Sequence, residues 1–249
     1  MARTGDNNNC LFGPVQSRRL GCSLGIDLTK FKTCTLNCVF CECGKTTHLT
    51  PLRKIFIPTV RVLSELKEFF TNNTAQLDVL TFSGGGEPTL AANLGEIIKE
   101  IKKNYPQKVC LLTNSTLLSD PKVRQEILPV DIIIASLNAV SREIFAKINR
   151  QLFGITPAKV MNGLLELKKI YTGQLLLEIF IIPDVNDTEQ ELTLLRDFAR
   201  QLQPSGIQLN SLDRPGTESW VQPLTKKRML EIKKFFAEFN TNYYLKQSQ

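Results

Sequence analysis

The stretch CTLNCVFCECG (residues 34–44) decides how the rest of the chain is interpreted. Cys34, Cys38 and Cys41 form a C-x3-C-x2-C pattern, and Cys43 follows after one more residue. Thiols spaced this closely are typical of a metal site. Thiolates are soft ligands that favour iron–sulfur clusters or zinc, and three of them can hold a cubane cluster while one iron stays open. The stretch therefore predicts a metal centre on Cys34, Cys38 and Cys41.

The bulk composition is that of an ordinary globular protein. The chain has 249 residues with 42% hydrophobic content and a mean hydropathy of −0.09, enough for one barrel-sized domain. No run approaches the roughly 20 apolar residues that a membrane-spanning helix needs. The polar start MARTGDNNNC lacks the apolar run of a signal peptide. We therefore expect a cytoplasmic protein without a membrane segment, whose seven cysteines do not form a disulfide framework.

Positive charge is concentrated near the start of the chain. The net charge is +7, and residues 1–60 carry eight Lys or Arg against three acidic residues. A basic end beside a cofactor loop suits a phosphate-bearing or RNA substrate. It equally suits a solvated basic surface. The charge alone does not decide between the two.

Six predicted strands each lead into a helical pattern. The strands fall near residues 23–28, 77–82, 108–113, 130–138, 175–182 and 206–212. The helices fall near residues 60–70, 93–103, 121–127, 142–149, 157–171, 188–202 and 226–239. This alternation predicts an α/β fold with a parallel sheet, either a partial (βα)6 barrel with outer helices or an open doubly wound sheet. In both, ligands bind at the carboxyl ends of the strands.

The chain is predicted to form one domain. Gly13, Pro14 and Gly21 interrupt any pattern near the start, so residues 1–22 are predicted as an irregular N-terminal extension. Residues 23–240 form the domain, and residues 241–249 form a C-terminal tail. Polar residues follow several strands, in GGGEPT (84–89), TNS (113–115) and SLN (136–138). These positions are hard to explain by stability alone.

The motifs at the strand ends resemble those of a known superfamily. The cysteine pattern, with Phe40 before its third cysteine, resembles the radical S-adenosylmethionine (radical SAM) superfamily, and GGGEPT resembles its Gly-Gly-Glu motif. The resemblance covers residues 20–240 and implies the partial barrel of the radical SAM core. More narrowly, FGPVQSRRLGCSLGIDL, LLTNSTLL, PDVNDT and LDRPG resemble the branch related to wyosine-base synthase.

The resemblance implies a cofactor chemistry. Cys34, Cys38 and Cys41 would ligate a 4Fe–4S cluster, and S-adenosylmethionine would chelate the open iron. An electron donor such as a flavodoxin or ferredoxin would reduce the cluster. Cleavage of S-adenosylmethionine would then release a 5′-deoxyadenosyl radical that acts on a substrate, which the sequence does not identify. No residue acting on that substrate is assigned.

The resemblance also implies which residues bind the cofactor. The Gly-Gly-Glu turn would face the methionine amine, an aromatic would lie by the adenine or cluster, and polar strand ends would hold the ribose, carboxylate and adenine. These residues are Phe40, Gly85, Gly86, Glu87, Asn114, Ser136, Asn138 and Asn210. Each has a structural alternative, namely a strand-to-helix turn, loop packing, a helix cap or an Asx turn.

Four further residues are interpreted from their positions in the sequence. Glu178, within an apolar strand, would contact the cofactor or pair with a basic residue. Arg214 would bind a substrate anion or belong only to a turn. His48 would be a metal ligand, a substrate contact or an exposed loop residue, and the last is favoured. Cys110, inside a strand, is interpreted as a buried apolar residue.

The remaining cysteines and the substrate class leave alternatives open. Cys10, Cys22 and Cys43 would hold a second iron–sulfur cluster or remain unliganded thiols. The wyosine-related branch implies an RNA substrate, although the sequence offers few exposed aromatics to stack bases, and peptides, nucleotides and small metabolites stay open. The competing classes are a structural zinc protein that uses Cys34, Cys38, Cys41 and Cys43, and an electron-transfer iron–sulfur protein without a cofactor site.

Overall fold

A computed structural model describes residues 9–245 of the chain. Its main sheet has eight strands, which are β1 (Leu11–Ser17), β2 (Gly21–Ile26), β5 (Val79–Phe82), β6 (Lys108–Thr113), β7 (Ile132–Ser136), β8 (Gln174–Phe180), β9 (Gly206–Asn210) and β10 (Thr241–Tyr244). They lie side by side in this same order. A separate parallel pair joins β3 (Thr33–Cys34) to β4 (His48–Leu49).

Seven helices follow the strands among the described residues. They are α1 (Thr59–Asn72), α2 (Leu94–Asn104), α3 (Pro121–Glu126), α4 (Arg142–Asn149), α5 (Pro157–Ile170), α6 (Glu189–Leu202) and α7 (Lys226–Phe235). Strands β2 and β5 to β9 run parallel in sequence order, and the sheet curls into a half-barrel with helices outside. This confirms the predicted partial barrel with six core strands.

The helices form where capping residues and apolar spacing agree. Thr188 precedes α6 and accepts a hydrogen bond from the Glu191 backbone N–H at 3.3 Å. Acidic residues in the first turn suit the positive end of the helix dipole. The buried side chains of α6 recur at three- and four-residue spacing and face the sheet, among them Leu192, Leu195 and Phe198.

Alternation along the strands divides the apolar residues between two sides of the sheet. Residues such as Leu24, Phe82 and Leu111 face the helices and belong to the large core. A smaller cluster of Val79, Cys110, Ile134 and Leu176 faces the inside of the half-barrel, here called the lumen. Cys110 is fully buried there, as predicted.

Two ends of the chain form strands that the sequence did not predict. Leu11–Ser17 is an antiparallel edge strand, so the prediction of an irregular segment over residues 1–22 is wrong there. The register shifts between Phe12 and Val15, and this bulge accommodates Gly13 and Pro14 on an edge strand. Thr241–Tyr244 pairs with β9, so the predicted C-terminal tail begins with a strand.

The turn between β1 and β2 crosses towards the far edge of the sheet. Arg18 donates a hydrogen bond to the Leu245 carbonyl at 2.5 Å and pairs with Asp213 at 3.0 Å. The Arg19 guanidinium lies 5.9 Å from the ring centroid of Tyr244 in β10. The turn therefore joins the two edges of the open barrel. Of the helices within residues 9–245, none has the length and apolar character to span a membrane.

Candidate functional site

The cysteine loop lies beyond the carboxyl ends of the strands and is held by α4. The Asn37 backbone N–H donates to the Asn149 carbonyl at 3.0 Å, and the Val39 N–H donates to the Ile148 carbonyl at 2.9 Å. Both carbonyls are at the end of a helix, where they lack intrahelical partners. The N–H groups of the loop thus provide hydrogen-bond partners for the last carbonyls of α4, and the same bonds fix the position of the loop.

The segment after β9 holds the loop from another side. The Thr217 hydroxyl donates to the Cys38 carbonyl at 3.0 Å, and the Glu218 N–H donates to the Val39 carbonyl at 3.1 Å. A Cβ added at Gly216 would lie 2.9 Å from the Phe40 Cα, so glycine is required for this approach. Arg214 pairs with Glu42 at 2.5 Å, which places its guanidinium on the loop itself.

Each sulfur of the C-x3-C-x2-C pattern accepts one hydrogen bond from a nitrogen. Asn114 Nδ2 lies 3.4 Å from Cys34 Sγ, and Asn149 Nδ2 lies 3.4 Å from Cys38 Sγ. Lys32 Nζ lies 3.1 Å from Cys41 Sγ. N–H donors stabilise negative charge on sulfur, so at each of the three positions the hydrogen bond acts in favour of the thiolate.

Burial and neighbouring charges act on these thiols in different directions. Burial raises the pKa of Cys34 to about 11, and the nearby Glu87 carboxylate adds to the effect. Burial also raises the pKa of Cys38. A hydrogen bond from Cys43 lowers the pKa of Cys41, and the Lys32 ammonium lowers it further. A metal that binds these sulfurs would release protons from Cys34 and Cys38.

The other loop and strand cysteines do not gather into a second site. Cys43 Sγ donates to the Gly84 carbonyl at 3.6 Å, and Cys10 Sγ donates to Glu65 Oε2 at 3.1 Å. Cys10 lies beside Asp27, whereas Cys22 lies five residues back along β2. At 3.3 Å per residue that separation is about 16 Å, so the predicted second cluster on Cys10, Cys22 and Cys43 does not fit this arrangement.

The Gly-Gly-Glu turn packs directly on the start of the cysteine loop. The Glu87 backbone N–H donates to the Thr33 carbonyl at 3.1 Å. The Gly85 N–H donates to Asp27 Oδ2 at 2.9 Å. A Cβ added at Gly86 would lie 2.2 Å from the Thr33 carbonyl oxygen, so no other residue fits without moving backbone. The structure therefore brings the two sequence motifs together.

The Glu87 carboxylate points into the protein rather than to an open surface. It is 2% exposed and accepts four hydrogen bonds, from both the N–H and the hydroxyl of Thr89, the Thr113 hydroxyl and the Asn114 N–H. Burial raises the pKa of Glu87, and these hydrogen bonds act against it. Glu87 thereby joins the ends of β5 and β6 close to Cys34.

Asn114 links the end of β6 to both motifs, because its side chain contacts the cysteine loop and its backbone N–H donates to Glu87. Besides Cys34, its Nδ2 donates to the Thr35 hydroxyl at 2.9 Å. Its Oδ1 accepts from the Thr116 N–H and hydroxyl at 3.1 and 2.7 Å. Ser115, with a positive φ of 67°, has a buried hydroxyl without a hydrogen-bond partner in the described structure.

Two predicted site residues converge on Glu178 in the lumen. The Ser136 hydroxyl donates to its carboxylate at 2.8 Å, and Asn210 Nδ2 donates to the other oxygen. Arg19 from the β1–β2 turn pairs with that same oxygen at 2.5 Å and also donates to Gln208 at 3.2 Å. Of the two interpretations of Glu178, the structure shows the pair with a basic residue.

Phe40 and Asn138 have structural partners at the rim of the lumen. The Phe40 ring stacks on Phe180, with centroids 4.1 Å apart and planes 12° apart. Asn138 Oδ1 accepts from the Phe180 N–H at 2.8 Å, and its carbonyl accepts from Asn186 at 2.8 Å. His48 is exposed in β4, as the favoured interpretation predicted.

Four residues near the site were missed by sequence reasoning. Lys32, Asn149 and Arg19 follow no pattern that marks them, and the contacts of Asn149 and Arg19 join parts of the chain 111 and 159 residues apart. Glu191 is buried and accepts hydrogen bonds from the backbone N–H groups of Val140 and Ser141, the latter at 3.1 Å. Its position three residues after the capping Thr188 is a usable signal for a capping box, although its side chain instead reaches the connection between β7 and α4.

The described residues contain no enclosed single-ion site. Across residues 9–245, no three His, Cys, Asp or Glu side chains surround a point where one metal ion would sit.

Known proteins match this chain over the segment that contains the cysteine loop and the Gly-Gly-Glu turn. A model described as the radical SAM superfamily matches residues 28–195. A UPF0026 protein of Synechocystis is 38% identical over 206 residues, 82% of this chain and 76% of that protein. A protein of Brachyspira hyodysenteriae named GTPase Obg is 35% identical over 226 residues, which are 91% of this chain but 33% of the relative.

Solved structures show the same fold at low identity. Streptococcus suis SuiB bound to S-adenosylmethionine superposes with a TM-score of 0.66 at 12% identity, covering 90% of this chain and 51% of SuiB. A radical SAM methyltransferase from Sphaerobacter thermophilus gives 0.67 at 14% identity, covering 89% and 65%. With the family match over residues 28–195, these findings lead to one conclusion: the chain belongs to the radical SAM superfamily of enzymes and shares most of its length with the UPF0026 proteins.

Proposed function

We propose that the protein holds a 4Fe–4S cluster on Cys34, Cys38 and Cys41 and uses it to cleave S-adenosylmethionine reductively. The observation that carries the proposal is the set of three N–H donors, one to each of these sulfurs. The sulfurs of Cys10 and Cys43 are donors instead, so the pattern distinguishes the proposed ligands from other thiols. When bound and reduced, the cluster would supply the electron that converts S-adenosylmethionine to a 5′-deoxyadenosyl radical.

The donor set fits a thiolate-held cluster. Three sulfurs on one loop leave room for an open coordination position, and soft thiolates suit iron–sulfur clusters. Metal-site ligands are usually oriented by hydrogen bonds from a surrounding shell, and here Asn114, Asn149 and Lys32 form that shell. Donors from three separate parts of the chain thus contact the sulfurs, and this supports a rigid site.

The Gly-Gly-Glu turn and Phe40 would shape the cofactor space. The backbone of Gly85 and Gly86 lies against the segment that leads into the cysteine loop, so this turn would border the space that the cofactor takes. The carboxylate of Glu87 holds the turn through four hydrogen bonds, which supports a role in positioning the backbone. Phe40, stacked on Phe180, would limit water access from the lumen side.

The substrate would lie in the lumen beside the polar group around Glu178. Glu178, Arg19, Ser136, Gln208 and Asn210 form a connected hydrogen-bonded set where the surroundings are otherwise apolar. Buried polar networks of this kind are costly unless fully satisfied, and they cluster at binding sites. An electron donor such as a flavodoxin or ferredoxin would reduce the cluster from outside.

A tRNA substrate, as in wyosine-base synthase, is the second candidate. Its support is the motif likeness together with two exposed aromatics that flank the cysteine loop. Phe153 is fully exposed and follows Leu152, whose N–H donates to the Thr35 carbonyl at 3.1 Å. Trp220 is 43% exposed, with Lys147 Nζ 5.9 Å from its ring centroid. Aromatics beside basic residues can stack bases of single-stranded RNA.

The single tryptophan makes the second candidate simple to test. Trp220 is the one Trp of the chain, so its fluorescence reports on this rim alone. Titration with tRNA should quench that fluorescence, and Phe153→Ala should weaken the binding. Unchanged fluorescence up to high tRNA concentration at low salt would argue for a different substrate.

The main proposal is tested by cofactor cleavage under anaerobic conditions. The protein is reconstituted with iron and sulfide, reduced with dithionite and mixed with S-adenosylmethionine, and 5′-deoxyadenosine is assayed. The wild-type protein and Cys110→Ala should form it, whereas Cys38→Ala should not. Cleavage that survives in Cys38→Ala would overturn the assignment of the ligands, and zinc instead of iron in the purified protein would overturn the function.

A further inference from the structure

Lys32 is a buried lysine whose amino group faces a sulfur. Its side chain is 3% exposed, and Nζ lies 3.1 Å from Cys41 Sγ. Over the described range 9–245, no Asp or Glu forms an ion pair with it. Asp27, the nearest acid in sequence, accepts hydrogen bonds from the N–H groups of Thr29 and Gly85, and Glu42 pairs with Arg214. Burying an ammonium group without a counter-charge is costly. The arrangement therefore indicates that a negative group belongs beside Cys41.

The backbone of Lys32 is held in a conformation that lysine rarely adopts. Its φ is +58°, in the left-handed region, where a residue with a Cβ costs about 1 kcal/mol or more. Three hydrogen bonds fix it there, from its N–H to the Gly85 carbonyl at 3.2 Å and to its carbonyl from Thr47 and His48 at 3.1 and 3.0 Å. The Gly-Gly-Glu turn and the start of β4 thus fix the direction in which the side chain leaves the backbone.

Lys32 is close to more than one of the proposed ligands. It lies two residues before Cys34 in the chain, while its Nζ lies 3.1 Å from Cys41 Sγ. A cation at this position would act on any negative group that the proposed ligands share.

We propose that Lys32 is the counter-charge of the cluster and raises its reduction potential. The inference rests on the cluster proposed above. Thiolates make such a cluster negative, and reduction adds one electron from the external donor without making or breaking a bond at Lys32. A fixed cation therefore stabilises the reduced form more than the oxidised form. Net charge and hydrogen bonds to sulfur are known determinants of cluster potentials.

The test is a reduction potential, which does not depend on turnover. The cluster is reconstituted in the wild type, Lys32→Met, Lys32→Arg and Lys45→Met, and its midpoint potential is measured by EPR-monitored titration without S-adenosylmethionine. Lys45 is an exposed lysine of the same loop, so Lys45→Met removes equal charge from a solvated site. Lys32→Met should titrate at a more negative potential, while Lys32→Arg and Lys45→Met should stay near the wild type.

The outcomes separate this inference from the function on which it rests. An unchanged potential in Lys32→Met would overturn the inference even though the wild-type cluster is present. Weaker binding of S-adenosylmethionine at unchanged potential would make Lys32 a cofactor contact and would also overturn it. If Lys32→Met does not retain a cluster, Lys32→Gln keeps an N–H donor without the charge and should show the same negative shift. A wild type without any cluster signal would instead overturn the proposed function.

Discussion

The cysteines of this protein fall into two regions with opposite hydrogen-bond direction. In the C-x3-C-x2-C pattern, nitrogen atoms donate to all three sulfurs. Elsewhere, the Cys10 thiol donates to a carboxylate and the Cys43 thiol donates to a carbonyl, while Cys110 lies among apolar side chains. A thiol that donates is being kept neutral, and a sulfur that accepts is prepared to carry charge.

The difference teaches that surroundings, rather than spacing alone, identify a ligand. Cys43 is the cysteine nearest in sequence to Cys41, yet its thiol is a donor, to Cys41 and to the Gly84 carbonyl. Cys10 is more deeply buried than Cys34, yet it faces Glu65. A structural zinc site on four loop cysteines would need Cys43 as a thiolate ligand. The Cys43 thiol instead donates a hydrogen bond to the Gly84 carbonyl, which favours its protonated form.

Replacing one cysteine of each region with alanine should give the largest difference in iron content and in cofactor cleavage. Cys38→Ala removes a proposed ligand and should abolish 5′-deoxyadenosine formation together with most of the bound iron. Cys110→Ala removes a sulfur from the lumen cluster and should keep iron and cleavage while losing about 1 kcal/mol of stability. Iron analysis and the cleavage assay check both. Equal iron loss in the two variants would remove the distinction between the regions.

Removing one donor, or replacing it with a carboxylate, should have the next largest effect. Asn149→Ala removes the N–H to Cys38, and iron retention against a chelator should fall about tenfold. Asn149→Asp places a carboxylate beside that sulfur and should lose more. Asn104, exposed at the end of α2, is the matched control, because Asn104→Asp makes the same change away from any sulfur. Wild-type iron retention in Asn149→Asp would contradict the role of the donor.

Glu87 should matter more for stability than any other side chain beside the loop. Glu87→Ala leaves the buried donors of Thr89, Thr113 and Asn114 without their acceptor, so the metal-free protein should lose about 3 kcal/mol of unfolding free energy. Glu87→Gln keeps one carbonyl oxygen and should lose less. Urea unfolding under reducing conditions measures both. A loss below about 1 kcal/mol in Glu87→Ala would show that the turn holds without its carboxylate.

The smallest expected effect is a pH dependence in the other region. Burial alone would raise the pKa of Glu65, but hydrogen bonds from Cys10 and Arg61 bring it below the ordinary 4.5. A lowered carboxyl pKa stabilises the fold at neutral pH, and this contribution disappears as the pH falls through the folded-state pKa. Glu65→Gln should therefore cost about 1 kcal/mol near neutral pH and progressively less in acid. A constant difference across that range would contradict the assignment.

Local patterns in the sequence predicted six parallel strands alternating with helices, because strand and helix periodicity is visible within a few residues. Periodicity left an open sheet as the alternative, and the resemblance of the motifs favoured the partial barrel. The position of the cysteine loop and the Gly-Gly-Glu turn at the same ends of the strands followed from that topology. The bulged edge strand was missed because Gly13 and Pro14 imitate a turn, and β10 was missed because it is short. The donors were missed because Asn149 and Cys38 are 111 residues apart, and no local pattern encodes such a contact.

The turn that carries Arg18 and Arg19 has a consequence for the order in which the chain folds. Its partners Asp213 and Leu245 lie 195 and 227 residues later, so the contact cannot form until nearly the whole chain has left the ribosome. The parallel strands can add one by one during synthesis, each pairing with its predecessor. The contact of the β1–β2 turn across the lumen therefore forms last. By then the sheet already holds both edges in place, so little further loop-closure entropy is lost when this contact forms.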